Sequence, residues 1–352
     1  MKEKRKEKLQ MGTGLCSKGD LCLCVFFLFF IFVGMFFFNS QSLKMYYVDL
    51  NGLINRLFGQ KYLNEVVLLE NGHLILPEEE RTAESIEKNA ENLESFRVFA
   101  ESIGAELLYV SVPAKNVLHD EELPAGVNDF AVQNLNYFME CLGETEVEYI
   151  DIRLLLEQNE ESSLNYYYLS DHHWKISYGL EVAGYLAQYF NEEMGMNCDL
   201  SLLMAENFET VVYDELHLGS HGRRVGRYFG PGADDFEYIY PSYETLFADY
   251  TFMQEGDFRS ILTGEGRLTE RSHHWRDAYD MLYSRMMNCH IDNLLNENGP
   301  RVYVISDSMG HAVFPFLSLV CDEVYWGDVN EEEIREFQPD IIIFMRLSTT
   351  LI

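Results

Sequence analysis

Short apolar segments typical of buried strands alternate with segments of helical periodicity along most of this chain. The strand-like LLYVSVP at 107–113 follows a helical apolar spacing that runs from Thr82 to Ile103 and stops at Gly104. Further helices are predicted at 129–141 and 176–190. In the second half, predicted helices at 310–320 and 330–337 separate the apolar stretches RVYVIS, EVYW and DIIIFM. Such alternation is typical of a parallel sheet with helices on both faces. The sequence therefore predicts an α/β fold built on a doubly wound parallel sheet.

The regular part of this fold is predicted to occupy residues 82–352. Residues 39–81 are predicted to form a stalk and a hairpin, because Asn71-Gly72 lies between the apolar stretches VVLL and LIL. Residues 197–300 are less regular and contain loop-like clusters such as GSHGRR and FGPG. We interpret them as a long insertion over the functional site.

An uncharged apolar run at residues 21–38 predicts a membrane-spanning helix. As a helix, the run would be about 27 Å long, close to the thickness of a hydrocarbon core. Residues 1–20 carry six Lys/Arg and three Asp/Glu, so the positive-inside rule places them in the cytoplasm. A cleaved signal peptide is the alternative, although Ser40-Gln41-Ser42 only weakly matches a cleavage site. We expect a single-pass anchor in the cell membrane, with residues 39–352 extracytoplasmic.

The net negative charge of the chain argues against nucleic acid as a partner. The formal net charge is −32, and since residues 1–20 are basic, the remainder carries 20 basic and 55 acidic residues. A surface this acidic repels phosphate backbones. We therefore expect no nucleic acid partner.

Two short segments carry the side chains that serine catalysis needs. A serine hydroxyl is a weak nucleophile at neutral pH, so it requires a histidine to accept its proton and a carboxylate to orient that histidine. Ser308 follows the strand RVYVIS, whereas Asp171 and His173 come after the strand VEYIDI. Functional groups gather at the carboxyl ends of parallel strands. We therefore predict a catalytic set of Ser308, His173 and Asp171.

Each of these positions also has a purely structural interpretation. Ser308 and Asp171 can each cap the helix that follows, since both residue types are common at N-caps. His172 is expected to be a solvent-facing or packing residue. Trp174 and Tyr168 are candidates for stacking on a sugar ring, although core packing accounts equally well for Trp174.

A metal site is a minor alternative. Asp171, the pair His172-His173 and a second pair, His273-His274, offer ligands that suit zinc or manganese. Adjacent histidines rarely point at the same ion, and the segment around His273-His274 has the spacing of a packing helix. We therefore expect neither a metal nor a cofactor.

Four stretches resemble the DHHW proteins and, more broadly, the AlgX and AlgJ-like branch of the SGNH hydrolase-like superfamily, which O-acetylates exopolysaccharides. The resemblance covers most of the part after the anchor. It rests on DHHW at 171–174, VPAKNVLHDEELP at 112–124, HLGSHG at 217–222 and ISDSMGHAVFPFLS at 305–318. It implies an SGNH-like, flavodoxin-like sheet.

The resemblance also implies roles for individual residues. Ser308 would be the nucleophile, His173 the general base and Asp171 its orienting carboxylate. The usual Gly-Asp-Ser-Phe of the family is Ser-Asp-Ser-Met at 306–309 here, so the backbone at this turn departs from the pattern. The family's separate asparagine has no counterpart that we identify, and Gly219 or Ser220 is our candidate for the second oxyanion donor. Lys115 belongs to the VPxK block and either supports the site or is a solvated loop lysine.

These observations together predict an extracytoplasmic O-acyltransferase. It would acetylate hydroxyls of a cell-surface polysaccharide through an acyl-enzyme on Ser308. The resemblance implies a membrane-bound O-acyltransferase partner that supplies acyl groups from the cytoplasm. The alternatives are a carbohydrate esterase of the same fold and a noncatalytic polysaccharide-binding envelope protein.

Overall fold

The computed structural model describes residues 41–156, 162–264 and 277–349, together with Phe26, Leu28, Phe29 and Ile31. The chain forms two compact units, Met1–Tyr47 and Val48–Ile352. The described strands are β1 (Tyr62–Leu63), β2 (Val66–Leu68), β3 (Leu74–Ile75), β4 (Glu106–Val112), β5 (Glu148–Asp151), β6 (Phe208–His217), β7 (Asp234–Pro241), β8 (Phe247–Asp249), β9 (Gln254–Gly256), β10 (His290–Asn293), β11 (Arg301–Ser306), β12 (Glu323–Trp326) and β13 (Ile341–Leu347). The α-helices whose ends lie within the described residues are α1 (Gln41–Leu57), α2 (Ala83–Ser102), α3 (Ala131–Gly143), α4 (Arg153–Leu156), α5 (Ile176–Glu192), α6 (Ser220–Val225), α7 (Phe258–Ile261), α8 (Ala278–Tyr283), α9 (Phe314–Leu317) and α10 (Glu331–Phe337).

The main sheet is mixed, which corrects the prediction of a wholly parallel sheet. Its strand order is β5-β4-β13-β11-β12-β10-β8-β9. The first five strands in that order are parallel, as predicted, but β10, β8 and β9 continue the sheet with antiparallel pairing. These three strands come from the region 197–300, which therefore extends the sheet as well as supplying loops. The α/β class is confirmed.

Helices cover both faces of the parallel strands. On one face α2, α3 and α10 pack on alternate residues of the strands, including Tyr109, Tyr303 and Phe344. On the other face α5, α8 and α9 pack on Val110, Val304 and related positions. Both sets of side chains are buried, which explains why the central strands are continuous apolar runs in the sequence.

The segment after β11 differs from the predicted helix at 310–320. A 3-10 turn covers Ser308–Ala312, and α9 begins only at Phe314. Pro315 lies in the first turn of α9, where its missing N–H is tolerated. One continuous helix would place that proline in its interior, so the segment divides into two short pieces. The other predicted helices at 82–103, 129–141, 176–190 and 330–337 are present with small shifts of their ends.

Residues 39–81 contain α1 followed by the three-stranded antiparallel sheet β1-β2-β3. The hairpin predicted at Asn71-Gly72 is present between β2 and β3. The predicted anchor at 21–38 lies outside the described residues except at the four positions given above. Among the residues that are described, no helix combines the length and the apolar character needed to span a membrane.

Candidate active site

The three residues predicted for catalysis lie together at the carboxyl edge of the parallel strands. Ser308 Oγ is 2.7 Å from His173 Nε2, and His173 Nδ1 is 2.7 Å from Asp171 Oδ2. This network assigns the proton to Nδ1, so that Nε2 accepts from the serine hydroxyl. His173 and Asp171 are buried, whereas Ser308 is partly exposed. The geometry is that of a nucleophile, a base and an orienting carboxylate.

The turn that carries Ser308 is held by Asp307. Its Oδ1 accepts from the Met309 amide at 3.0 Å and its Oδ2 from the Leu347 amide at 2.8 Å. Asp307, not Ser308, is therefore the N-cap of this turn. The backbone of Asp307 is extended, with φ −83° and ψ −169°. Ser306 occupies the position of the glycine in the related pattern, and its φ is not positive, so no left-handed backbone requires a glycine there. Asp171 is not a helix cap either, since α5 begins after Lys175 without a side-chain cap.

Asp171 accepts an unusually large number of hydrogen bonds for one carboxylate. Its Oδ1 accepts from the amides of His172 and Ser220 and from the Ser220 hydroxyl, at 2.8 to 2.9 Å. Its Oδ2 accepts from His173 and from His217 Nε2, the latter at 3.0 Å. Burial alone would raise the pKa of Asp171, but His173 and His172 outweigh it and hold that pKa well below its ordinary value. The carboxylate is therefore charged over the whole physiological range.

His217 is a functional candidate that sequence reasoning did not single out. It is fully buried, and it shares Asp171 Oδ2 with His173. Behind it, Asp277 Oδ1 lies 3.9 Å from His217 Nδ1, while Asp277 Oδ2 accepts from Arg223 at 2.8 Å. The stretch HLGSHG was noticed only as part of the family resemblance. The series of polar contacts therefore continues from Asp171 through His217 to Asp277 and Arg223.

His172 belongs to the hydrogen-bond network around Asp171 and does not simply face solvent. Its Nδ1 is 2.7 Å from the Ser220 hydroxyl and 3.1 Å from Asp171 Oδ1, and its ring centroid is 3.8 Å from that of His173. Burial opposes its charge, but Asp171 raises the pKa of His172 above its ordinary value. For His173, burial lowers the pKa, and the charge of His172 lowers it further. The two pKa values are thus driven apart, so that His172 keeps its proton to a higher pH than His173 does.

The opposite pKa shifts of His172 and His173 predict the pH at which activity falls on the acid side of the pH–rate profile. A general base works only when it is neutral, and a lowered pKa keeps His173 neutral to a pH below the ordinary imidazole value. Replacing His172 by glutamine removes a neighbouring positive charge, so the pKa of His173 should rise and the acid limb should move to higher pH. The measurement is kcat/KM against pH for hydrolysis of an acetyl ester. His290→Gln, a change at a histidine on β10, is the control and should leave the limb in place.

Gly219 and Ser220 do not fit the predicted role of oxyanion donors. The Ser220 amide donates to Asp171, and the Gly219 amide donates to the Ser170 hydroxyl at 2.9 Å. Both N–H groups are therefore committed to the loop that carries the carboxylate. A Cβ atom on Gly219 would lie 2.1 Å from the Cβ of Asp171. Gly219 is therefore needed for close approach of two backbone segments.

Trp174 and Tyr168 are both buried, which corrects their candidacy as a surface for sugar rings. Trp174 Nε1 donates to the Met309 carbonyl at 3.0 Å, so it joins the loop that carries His173 to the turn that carries Ser308. Tyr168 packs between His217 and Phe236. Their aromatic faces contact protein side chains rather than a cleft.

Lys115 is a buried support of the site and not a solvated loop lysine. Its Nζ donates to the carbonyls of Tyr168, Leu169 and Asp171 at 2.8, 3.0 and 2.8 Å. Three acceptors match the three N–H bonds of an ammonium group. Burial lowers the pKa of Lys115 to about 7, while Asp234 and Asp171 oppose that shift. The lysine therefore fixes the backbone immediately before the two histidines.

Replacing Lys115 by methionine should destabilise the protein strongly. The change keeps the volume but leaves three inward-facing carbonyls without a donor, so we expect the free energy of unfolding to fall by about 2–5 kcal/mol. Denaturant unfolding measures this loss. Lys88→Met, on the exposed side of α2, is the matched control and should change stability by less than about 0.5 kcal/mol. Equal unfolding midpoints for the two variants would contradict the assigned support role.

Two groups of side chains have the composition of a metal site. Asp171, His172 and His173 form one, and Asp171, His217 and Asp277 form the other. In the first group, the close approach is explained by hydrogen bonds to the Asp171 carboxylate. In the second, His217 bonds to Asp171 while Asp277 pairs with Arg223. His273 and His274, part of the metal alternative from the sequence, lie outside the described residues.

A cavity of about 330 Å³ opens beside the catalytic residues. His172 and Ser220 form the wall nearest to Asp171, and Leu347, next to the turn of Ser308, forms another. The remaining lining residues are Leu76, Pro77, Glu78, Ala114, Lys115, Asn116, His221, Arg224 and Thr349. The cavity has room for a small substrate and reaches His172 and Ser220, although Ser308 and His173 do not line it.

Comparisons with known proteins agree with this fold. Residues 71–198 match the family model described as SGNH hydrolase-like domain, acetyltransferase AlgX. That range includes Lys115 and the DHHW segment but ends before Ser308. No curated protein matches the chain.

Solved structures that resemble this one over most of its length include the following two. Bacillus cereus PatB1 with a sulfonyl adduct has 17% sequence identity and a TM-score of 0.65, with 83% of this chain and 96% of that chain covered. A DHHW family protein from Eubacterium siraeum has 19% identity and a TM-score of 0.61, with 82% and 92% covered. The predicted resemblance is confirmed: the family match indicates an SGNH-like domain, and these neighbours share the fold.

Proposed function

We propose that this protein is an extracytoplasmic O-acyltransferase that transfers acetyl groups to hydroxyls of a cell-surface polysaccharide. The observation that carries the proposal is the hydrogen-bonded series Ser308, His173 and Asp171. The match to an SGNH hydrolase-like acetyltransferase domain supports the choice of acetyl transfer.

The first half of the reaction would form an acyl-enzyme. Ser308 Oγ attacks the carbonyl carbon of the donor while its proton moves to His173 Nε2, and Asp171 stabilises the resulting imidazolium. The tetrahedral intermediate then expels the donor's leaving group, which takes the proton from His173. The products of this half are the serine ester and the protonated leaving group.

The second half would transfer the acyl group to the acceptor. A sugar hydroxyl loses its proton to His173 Nε2 as its oxygen attacks the ester, and Ser308 Oγ leaves and recovers the proton. If water attacks instead, the same steps give an esterase. The adjoining cavity is our candidate for the acceptor site, because it lies against His172 and Leu347.

A negative charge develops on the carbonyl oxygen in both halves and needs N–H donors. Asp307 occupies the amides of Met309 and Gly310, through its carboxylate and its carbonyl respectively. The backbone amide of Ser308 is therefore our candidate donor, at the start of the turn. This replaces the earlier candidates Gly219 and Ser220.

The cellular setting of the proposal comes from the sequence. We propose that residues 21–38 anchor the chain in the cell membrane with residues 1–20 in the cytoplasm. An enzyme outside the cytoplasm lacks direct access to cytosolic acyl donors, so we propose a membrane-bound O-acyltransferase as the supplier. Deleting such a partner should abolish acetylation in cells while the purified protein still uses a synthetic ester.

Transfer is separated from hydrolysis by measuring both products in one assay. The full chain in detergent is given a chromogenic acetyl ester with and without a neutral oligosaccharide, and acetylated sugar is quantified by mass spectrometry. A transferase should acetylate the sugar in proportion to its concentration, at the expense of free acetate. Acetate release that is unaffected by the sugar would favour the esterase. A lack of Ser308-dependent turnover with any ester would favour a binding protein.

A further inference from the structure

The outward face of α1 is apolar, although it is the solvent side of that helix. Leu50, Leu53 and Ile54 are 53%, 38% and 45% exposed, and Leu57 and Phe58 are 77% and 78% exposed. With 100° between successive residues, Leu50, Leu53, Ile54 and Leu57 fall on one side of the helix, and Phe58 follows its last residue. We call this group of five the α1 stripe.

The opposite side of α1 is fixed to the domain. Asp49 is 2% exposed and accepts from the backbone N–H and from Nε of Arg227, at 3.0 and 2.9 Å. A Cβ on Gly52 would lie 2.2 Å from the Val225 carbonyl, so only glycine permits this contact. The helix is therefore held firmly while the α1 stripe faces outward.

The charges of α1 differ from those of the rest of the protein. Its sequence contains the basic residues Lys44 and Arg56 and a single acidic residue, Asp49, which is buried against Arg227. The whole chain, in contrast, has a net charge of −32. An apolar stripe with basic residues and no exposed acid is the pattern of a helix that lies in a lipid interface.

The sequence before α1 indicates what covers the stripe. The uncharged apolar run 21–38 ends only three residues before α1 begins. We propose that the α1 stripe lies on the surface of a bilayer that contains anionic lipids. The proposal rests on the proposed membrane anchor, which would bring the start of α1 to the headgroup region.

Such a contact would place the catalytic residues close to the membrane. Val225, against Gly52, ends α6, and α6 begins at Ser220, which donates to Asp171. A helix of this length spans about 9 Å. The site would therefore lie one short helix away from the lipid-facing element, where an acyl group delivered from the membrane arrives.

Depth-dependent quenching tests the contact directly. The full chain is reconstituted into vesicles of zwitterionic lipid with or without anionic phosphatidylglycerol. A fluorescent amino acid is placed at Leu57 or, as the control, at Val98, which is 52% exposed on α2. Lipids with a spin label near the headgroup should quench position 57 several-fold more than position 98, and more strongly when anionic lipid is present. Equal quenching at the two positions would overturn the proposal.

A double substitution in the α1 stripe tests whether something other than lipid covers it. With Leu53→Asp and Leu57→Asp together, a fluorophore at Phe58 should lose its lipid quenching and become accessible to iodide. If the unsubstituted stripe is shielded from both lipid and iodide, protein covers it, and the proposal is wrong. A dimer that the double substitution abolishes would identify a second copy. Ser308-dependent ester hydrolysis is measured in the same samples, so failure of the proposed chemistry is separate from failure of the lipid contact.

Discussion

Ser308→Ala should reduce turnover of an activated acetyl ester by about 10⁴-fold or more. The variant removes the only atom that His173 Nε2 is placed to activate, at 2.7 Å. Little stability should be lost, because Ser308 is partly exposed and Asp307, not Ser308, caps the turn. Steady-state kinetics and thermal unfolding on the same preparation separate the two effects.

Ser306→Ala provides the matched control for this substitution. Ser306 lies two residues earlier, and its hydroxyl donates to the Asp307 carbonyl at 2.9 Å. We expect its turnover to stay within about threefold of the unsubstituted protein, since surface-like changes of this kind cost little. A serine-directed phosphonate should label position 308 and not 306. Full turnover in Ser308→Ala would rule out the acyl-enzyme.

Asp171→Asn should lower turnover by about 10⁴-fold and also destabilise the protein. Both carboxylate oxygens accept from N–H donors, so in either orientation an amide NH₂ would face donors. In one orientation, the new NH₂ group would face the N–H groups of His173 and His217. In the other, it would face the N–H of Ser220. His173 would then be driven toward the wrong tautomer. The loss of buried hydrogen bonds should lower the free energy of unfolding by about 2–4 kcal/mol.

Asp249→Asn distinguishes loss of catalysis from loss of stability. Asp249 is also buried, and its Oδ1 accepts from the amides of Thr251 and Phe252 at 3.0 and 3.1 Å. It lies at the end of β8, outside the catalytic network. We expect it to lose stability but to keep turnover. If both variants lose turnover equally, the effect of Asp171→Asn is structural.

The parts of the fold that depend on local spacing were predictable from the sequence. Helix α2 follows from apolar residues at helical spacing and from the cap Thr82, whose hydroxyl accepts from the Ser85 amide. Strands β4, β11 and β13 are buried on both faces, and each contains at least four consecutive apolar residues. Because parallel strands end at one edge, the proximity of His173 and Ser308 could be expected although 135 residues separate them.

Features that depend on contacts between distant segments were not predictable in this way. Strands β8, β9 and β10 contain only three or four residues each, too few to show a period. The roles of His217 and Lys115 arise from their hydrogen bonds to the loop at Asp171, 46 and 56 residues away. A buried lysine has no local signal, since its three acceptors are backbone carbonyls. The hydrogen bonds that the Gly219 and Ser220 amides donate to Ser170 and Asp171 likewise depend on contacts between distant segments.

The central position of β13 determines when this sheet can be completed. Strand β13 is the last of the described strands in the chain, yet it lies between β4 and β11. During synthesis, β4 and β11 emerge from the ribosome with their inner edges unpaired, and a growing chain exposes those edges to other strands. The Leu347 amide that holds Asp307 also arrives only with β13. A nascent chain therefore contains Ser308 before it contains the amide that holds the neighbouring Asp307 in place.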